Sequence, residues 1–188
     1  MDEYHVLLRR IKALRGLTAP WEGVVYRNTS VRYARSSDLL GGEGSSQAGG
    51  RWNPRGLRAV YASLTPETAM AETLNHFRRY GWDIVDAMPR VFVAVRVVLG
   101  VTLDLNDGEI RRRLRVSLRR MLADDWREVQ WAGKESVTQM LGAAAVASGI
   151  EAVLVPSSTG GGARNIVWFP DNLSSRCRTV ICNEDELP

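Results

Sequence analysis

The sequence predicts an α+β fold with central split or mixed β-sheets flanked by helices. Runs rich in β-branched residues and segments with helical periodicity both recur along the chain, but without the strict strand–helix–strand alternation of a doubly wound parallel sheet. The chain has 188 residues, of which 45% are hydrophobic and 24% charged. These values are typical of one globular domain of ordinary size.

The N-terminal half predicts two helices and two strands. Apolar residues at helical spacing predict a helix over 3–15, and "GVVYR" at 23–27 predicts a short strand. Residues 28–50 are rich in Ser and Gly, and we expect a long loop there. A second strand is expected in "AVYAS" at 59–63. The helix after it begins with Thr65 as a cap and ends at Gly81.

The C-terminal half predicts two more helices and a set of strands. Two β-rich runs, "RVFVAVRVVLG" and "VTLDL", are followed by an arginine-rich helix over 109–122. Small residues predict a closely packed helix over 135–149. We then expect strands in "EAVLVPS" and "NIVWFP", and a last short strand in "CRTVIC".

Composition narrows the chemistry. With only two histidines and two cysteines, no group of residues has the spacing of a metal site, and we expect no metal. Catalysis must then depend on carboxylates, hydroxyls and arginines. No apolar run reaches the ~18 residues of a membrane span, and the N-terminus lacks the pattern of a signal peptide, so we expect a cytoplasmic protein.

The positive charge is carried almost entirely by arginine. Of 25 basic residues 23 are arginine, and the net charge is +4. Arginine suits bidentate binding of phosphate and carboxylate. The arginines of 109–122 indicate either a solvated face of an amphipathic helix or a nucleic-acid or partner patch.

The glycine-rich segment "PSSTGGGARN" at 156–165 is not a nucleotide-binding P-loop. It lacks the lysine of that motif, and a strand follows it instead of a helix. We expect a hairpin whose glycines would still let backbone N–H groups approach an anion. Three residues would be given ordinary structural roles if each were taken alone. Arg27 would be assigned to a surface ion pair, Tyr61 to the core or the sheet surface, and Glu72 to a solvated helix face.

Taken in order, these motifs resemble one known family. The chain reads "VYRNTS", "GGRWNPRGLRAVYAS", "TAMAET" and "TQMLGAAAVASGIEAVLVPSSTGGGARNIVWFP". It resembles the RES domain, the toxin half of RES–Xre toxin–antitoxin pairs, over roughly residues 20–173. We therefore expect an N-terminal helical extension over 1–20 and a RES domain over 21–188.

The resemblance implies an ADP-ribosyltransferase-like fold and consumption of NAD as a substrate, with no bound cofactor. Carried over by motif, its catalytic residues are Arg27, Arg51 and Glu72. Its NAD-binding residues are Tyr61, Ser157 and Asn165, with Ser157 chosen over Ser158 because it directly follows Pro156.

The resemblance leaves three reactions open: hydrolysis of NAD, phosphorolysis with inorganic phosphate, and transfer of ADP-ribose to a protein. In each, Glu72 would stabilise an oxocarbenium-like transition state and the two arginines would bind phosphates. Tyr61 would offer a ring face to the nicotinamide, while Ser157 and Asn165 would bind ribose hydroxyls or the carboxamide. An Xre-type antitoxin is expected to cover the site, and nucleic acid to be bound only indirectly, through the antitoxin. The alternative from another class is a nucleic-acid-binding module that uses the 109–122 helix.

Overall fold

The computed structural model describes residues 2–79, 81–83, 85 and 88–188. In this part of the chain the predicted α+β combination of mixed sheet and flanking helices is confirmed, but the described strands form one sheet and are not split into several. The helices are α1 (Glu3–Ala13), α2 (Ser36–Gly41), α3 (Glu43–Ala48), α4 (Pro66–Arg79), α5 (Gly108–Leu114), α6 (Leu118–Ala123), α7 (Trp126–Trp131) and α8 (Val137–Ala147). The strands are β1 (Ala19–Ser30), β2 (Val60–Ser63), β3 (Arg90–Asp104), β4 (Ala152–Pro156), β5 (Arg164–Trp168) and β6 (Arg178–Ile181). None of the helices described is long and apolar enough to cross a membrane.

The described strands form one sheet that closes on itself. Its order is β1-β2-β5-β4-β3, and β3 pairs again with β1 to complete the barrel. The β3–β4 pairing is parallel and the others are antiparallel. β3 is long enough to pair with β1 along one edge and with both β4 and β6 along the other. The β1–β2 contact is a single residue pair, Tyr26 with Ser63, so the barrel is weakest beside the strand that leads into α4.

Two apolar cores lie on opposite sides of the sheet. Alternate residues of β3, among them Val93, Val95 and Val97, are fully buried in the core enclosed by the barrel. This alternation follows from the two-residue period of a strand. The second core lies between the outer face of the sheet and the helices, chiefly α1 and α8.

Several local predictions are corrected. Residues 28–50 are not a loop: β1 continues to Ser30, and α2 and α3 follow. The two β-rich runs before residue 105 are one strand, β3. The 109–122 helix is two short helices, because Arg115 adopts the left-handed conformation (φ 55°) and ends α5. The predicted helix over 65–81 is seen as α4, although Tyr80 lies outside the described residues.

A buried carboxylate links β3 to the segment before β4. Glu151 is 3% exposed and accepts hydrogen bonds from the backbone N–H groups of Gly100 (2.6 Å), Val101 (2.9 Å) and Ser174 (3.3 Å). Burial raises the pKa of this group. Hydrogen bonds from Cys177, Ser174 and the β3 backbone more than offset that effect, and they lower the pKa to about 2.

We expect Glu151→Gln to lower the free energy of unfolding at pH 7 by about 2 kcal/mol, because the charged acceptor of three backbone donors is lost. A carboxyl whose pKa is depressed by folding stabilises the protein above its ordinary pKa of 4.5, and this contribution disappears as the pH falls towards 2. Denaturant unfolding of both proteins between pH 7 and pH 2.5 measures the difference, which should shrink below pH 4.5. The exposed Glu135→Gln variant is the control, and a difference independent of pH would contradict the assignment.

Candidate functional site

The candidate site is centred on the carboxylate of Glu72, in the second turn of α4. Its Oε1 accepts hydrogen bonds from Ser157 Oγ (2.5 Å), Asn165 Nδ2 (2.9 Å) and Ser158 N (3.1 Å). Its Oε2 accepts from Ser158 Oγ (2.9 Å). Four donors from the β4–β5 region therefore fix the orientation of a half-buried carboxylate.

The fold brings these partners together through the strand order. Asn165 lies opposite Val155 on β4 and Ser63 on β2, at the end of the sheet where β2 leads into α4. Ser157 follows β4 directly, and its backbone N–H donates to Ala163 O, which closes the expected hairpin. Gly160, Gly161 and Gly162 all have positive φ, a conformation that glycine adopts without strain.

Asn165 has an unused acceptor beside the carboxylate. Its Nδ2 donates to Glu72, while its Oδ1 is buried and accepts no hydrogen bond from the described part of the chain. A buried carbonyl oxygen without a donor is unfavourable by roughly 1–3 kcal/mol. The site thus offers an acceptor to a ligand that carries an N–H or O–H group.

Arg51 lies within electrostatic reach of Glu72. Its Nη1 donates to the carbonyl oxygen of Met121 in α6 at 2.9 Å. Burial lowers its pKa, while the negative charges of Asp124 and Glu72 act in the opposite direction. A guanidinium that is half-buried near this carboxylate can bind an anionic group next to it.

Tyr61 anchors the loop between α3 and β2, residues 49–59, which carries Arg51 and is called the Arg51 loop below. The Tyr61 hydroxyl donates to Asn53 Oδ1 (2.6 Å) and accepts from the backbone N–H of Trp52 (2.9 Å). Burial raises the pKa of the phenol. Trp52 is 2% exposed and packs in the core between the sheet and the helices, so the loop is held by the two residues that directly follow Arg51. The stacking of nicotinamide on Tyr61 stays a prediction.

Arg27 is not hydrogen-bonded to the Glu72 cluster within the described residues. Arg27 lies on β1, opposite Val93 of β3. Its Nη1 donates to the carbonyl oxygen of Leu39 at 2.5 Å. Burial lowers its pKa to about 10, so it is still charged at neutral pH. Of the six residues taken from the motifs, Glu72, Ser157 and Asn165 are joined by hydrogen bonds. Arg51 interacts with Glu72 through its charge, and Tyr61 is hydrogen-bonded to the loop that carries Arg51.

Further residues contribute to this region. Ser158, which the motif order left aside in favour of Ser157, makes two of the four hydrogen bonds to Glu72.

Helix α7, which the sequence did not predict, is tied to α4 by the ion pair of Asp125 with Arg79. It is tied to the end of α3, directly before the Arg51 loop, by Gln130, which donates to Ala48 O at 3.0 Å. No helical signal for α7 is present in the sequence, because its six residues span less than two full turns and cannot show a clear helical period.

Comparison with known proteins agrees with the motif order. The profile of the RES domain matches residues 24–185. The chain is 31% identical over 160 residues to proteins named NAD(+) phosphorylase MbcT from Mycobacterium bovis and Mycobacterium tuberculosis, which covers 83% of this chain and 77% of each relative.

A solved structure has the same fold. The crystal structure of the M. tuberculosis MbcT–MbcA toxin–antitoxin complex contains a chain that superimposes with a TM-score of 0.72, at 22% identity, over 97% of this chain and 96% of that one. The profile match covers most of the sequence, including every residue of the candidate site. The chain belongs to the RES domain family.

Proposed function

We propose that this protein is a toxin that consumes NAD by phosphorolysis and that a partner antitoxin silences it. The observation that carries the proposal is the Glu72 carboxylate, held by Ser157, Ser158 and Asn165 next to Arg51. The similarity to relatives named NAD(+) phosphorylase supports the choice of reaction.

The reaction breaks the bond between nicotinamide and the C1″ carbon of its ribose. The bonding electron pair leaves with the nicotinamide nitrogen, which becomes neutral, so the leaving group needs no proton. A phosphate oxygen forms the new bond to C1″, and the products are nicotinamide and ADP-ribose 1″-phosphate. This chemistry suits a site whose central group is a carboxylate with hydroxyl and amide neighbours.

Glu72 would stabilise the positive charge that develops on the ribose in the transition state. Its four hydrogen bonds keep the carboxylate in one orientation, so little reorganisation is needed when the charge appears. An oxocarbenium-like ribose beside a fixed carboxylate parallels the electrostatic half of glycosidase catalysis.

The neighbouring groups would bind the rest of the substrates. Arg51 is suited to the attacking phosphate or to the pyrophosphate of NAD, and Arg27 to the pyrophosphate. Asn165 Oδ1 would accept a hydrogen bond from a ribose hydroxyl or from the nicotinamide carboxamide. Ser157 and Tyr61 would contribute the ribose contact and the ring face.

Two variants of the reaction use the same machinery. Water in place of phosphate gives free ADP-ribose, and a protein nucleophile gives ADP-ribosylation. The ADP-ribosyltransferase-like fold belongs to this proposal, as do the Xre type of the antitoxin, its position over the Glu72 site and a cytoplasmic location. The similarity to the toxin chain of a toxin–antitoxin complex supports an antitoxin partner.

Purified protein incubated with NAD, with and without inorganic phosphate, tests the proposal. We expect loss of NAD that requires phosphate, with ADP-ribose 1″-phosphate identified by its mass. The same assay with the co-purified antitoxin should show little turnover. Free ADP-ribose in the absence of phosphate would replace phosphorolysis by hydrolysis. If NAD stays intact in every arm and no ADP-ribosylated protein is found, NAD consumption is rejected.

A further inference from the structure

The positive charge of the chain is concentrated on one face that the NAD reaction does not use. We define the basic face as residues 2–12, which include α1 apart from its last residue, together with residues 107–120, which include α5 and the start of α6. It holds nine basic and four acidic side chains, against 16 basic and 17 acidic in the rest of the chain. The basic face therefore accounts for the entire positive net charge.

Its two parts form one continuous surface. Arg10 Nη1 donates to the carbonyl oxygen of Leu114 at the end of α5 (2.8 Å), and Glu3 pairs with Arg120 of α6 at 2.6 Å. Because Glu3 and Arg10 are seven residues apart on one side of α1, the helix lies across both α5 and α6. The last turn of α1 is thereby brought beside the end of α5.

Many cations of the basic face are exposed and make no hydrogen bond or ion pair with the described part of the chain. Its carboxylates are largely engaged: Glu109 pairs with Arg113, Glu3 pairs with Arg120, and Asp107 caps α5. The cations left over are Arg9, Lys12, Arg112, Arg115 and Arg119.

Arg115 is held in an unusual backbone conformation at the centre of this face. It is the one non-glycine residue with positive φ in the described part of the chain, at the position after a helix where glycine is preferred. An arginine here is less stable than glycine would be. The chain therefore presents this exposed guanidinium at a cost in backbone stability, a combination found most often at functional positions.

Composition favours nucleic acid over a protein as the partner. Protein interfaces have an apolar or aromatic centre, and on this face Leu118 is the only large apolar side chain that is exposed. Interfaces with DNA are more polar and much more positively charged. Arginines spread over neighbouring helices match the repeated phosphates of a duplex.

We propose that the basic face binds the phosphate backbone of duplex DNA directly and without sequence preference. This goes beyond the proposed NAD reaction and differs from the sequence expectation of contact only through an antitoxin. No recognition helix enters a groove in this arrangement, so affinity comes from counterion release.

Fluorescence anisotropy with a labelled 20-base-pair duplex of arbitrary sequence, titrated at several salt concentrations, tests the proposal. We expect a Kd on the order of 1–10 μM at low salt, and log K falling with log salt with a slope of about −4. The triple variant R112Q/R115Q/R119Q should bind at least tenfold more weakly and flatten the slope by about 2–3. The control R32Q/R35Q/R176Q removes the same charge from exposed arginines elsewhere and should keep the wild-type slope.

Arg115→Gly separates a binding role from a structural one. Glycine suits the left-handed backbone, so this variant should unfold at a temperature no lower than the wild type while binding the duplex severalfold more weakly. If Arg115→Gly binds the duplex as tightly as the wild type, the Arg115 side chain does not contribute to DNA binding, and the proposal is rejected.

Other outcomes would also overturn it. These are no binding of the wild type at low salt, wild-type binding by the triple variant, or equal losses in the triple variant and its control. Polyglutamate that binds as tightly as the duplex would reject nucleic acid as the partner. NAD turnover is measured on every variant, so a failure of the NAD proposal is seen independently.

Discussion

Glu72→Gln should reduce NAD turnover by about 10²- to 10³-fold while the protein keeps its fold. The variant removes the negative charge that, in the proposed reaction, would face the ribose in the transition state. Loss of one preorganised electrostatic contact at a reacting centre commonly raises the barrier by about 3–4 kcal/mol. Initial rates of nicotinamide release, at saturating NAD and phosphate, measure the effect.

The geometry of the cluster makes glutamine the informative substitution. An amide oxygen in place of Oε1 still accepts from Ser157, Asn165 and the Ser158 N–H. An amide nitrogen in place of Oε2 can donate to Ser158 Oγ, since a hydroxyl both donates and accepts. The hydrogen-bond network therefore survives, and a lost rate reports the lost charge.

Glu67→Gln is the matched control. Glu67 is exposed in the first turn of the same helix, and this change alters the net charge equally. We expect its turnover to stay within about twofold of the wild type, since surface substitutions usually have small effects. Wild-type rates in Glu72→Gln would reject Glu72 as the catalytic carboxylate.

The candidate site was predictable only from motifs taken together. Glu72 and Ser157 are 85 residues apart, and no local pattern brings a mid-helix carboxylate to a hairpin. The order of motifs supplied what spacing could not. The neighbouring Ser158 was harder to assign, because two adjacent serines look equivalent until the backbone N–H of Ser158 is seen donating to the same carboxylate.

The fold class was predicted more easily than its short elements. Long segments such as α1 and α4 were found because they present several turns of one pattern or clear helix-end signals. Helices α2, α3 and α7 have six residues each, and tertiary contacts rather than intrinsic propensity stabilise helices of this length. The break at Arg115 had no signal, because arginine is a good helix former and rarely ends a helix in the left-handed conformation.

Gly142→Ala should destabilise the protein by about 3 kcal/mol or more. Helix α8 crosses the Arg51 loop so closely that a Cβ atom on Gly142 would lie 1.7 Å from the carbonyl oxygen of Trp52. Backbone cannot yield as a flexible side chain does, so the helix and the loop must separate. Overpacking of a close-packed interior typically costs about 1–3 kcal/mol, and the contact here is with backbone.

Separation of α8 from the loop would also displace the site. Gln139 of α8 donates to the carbonyl oxygen of Gly50 at 3.1 Å, and the loop in turn carries Arg51. We therefore expect the Gly142→Ala protein that still folds at low temperature to have a raised KM for NAD or for phosphate.

Gly44→Ala is the contrasting variant for the stability measurement. Gly44 lies inside α3, and no atom lies within 4 Å of the position that its Cβ would take. Alanine there should increase the free energy of unfolding by up to about 1 kcal/mol, because it lowers the conformational entropy of the unfolded chain. Urea unfolding of the two variants beside the wild type gives both values. Equal stabilities for Gly142→Ala and Gly44→Ala would mean that α8 and the loop are not in close contact, and that Arg51 is positioned without support from α8.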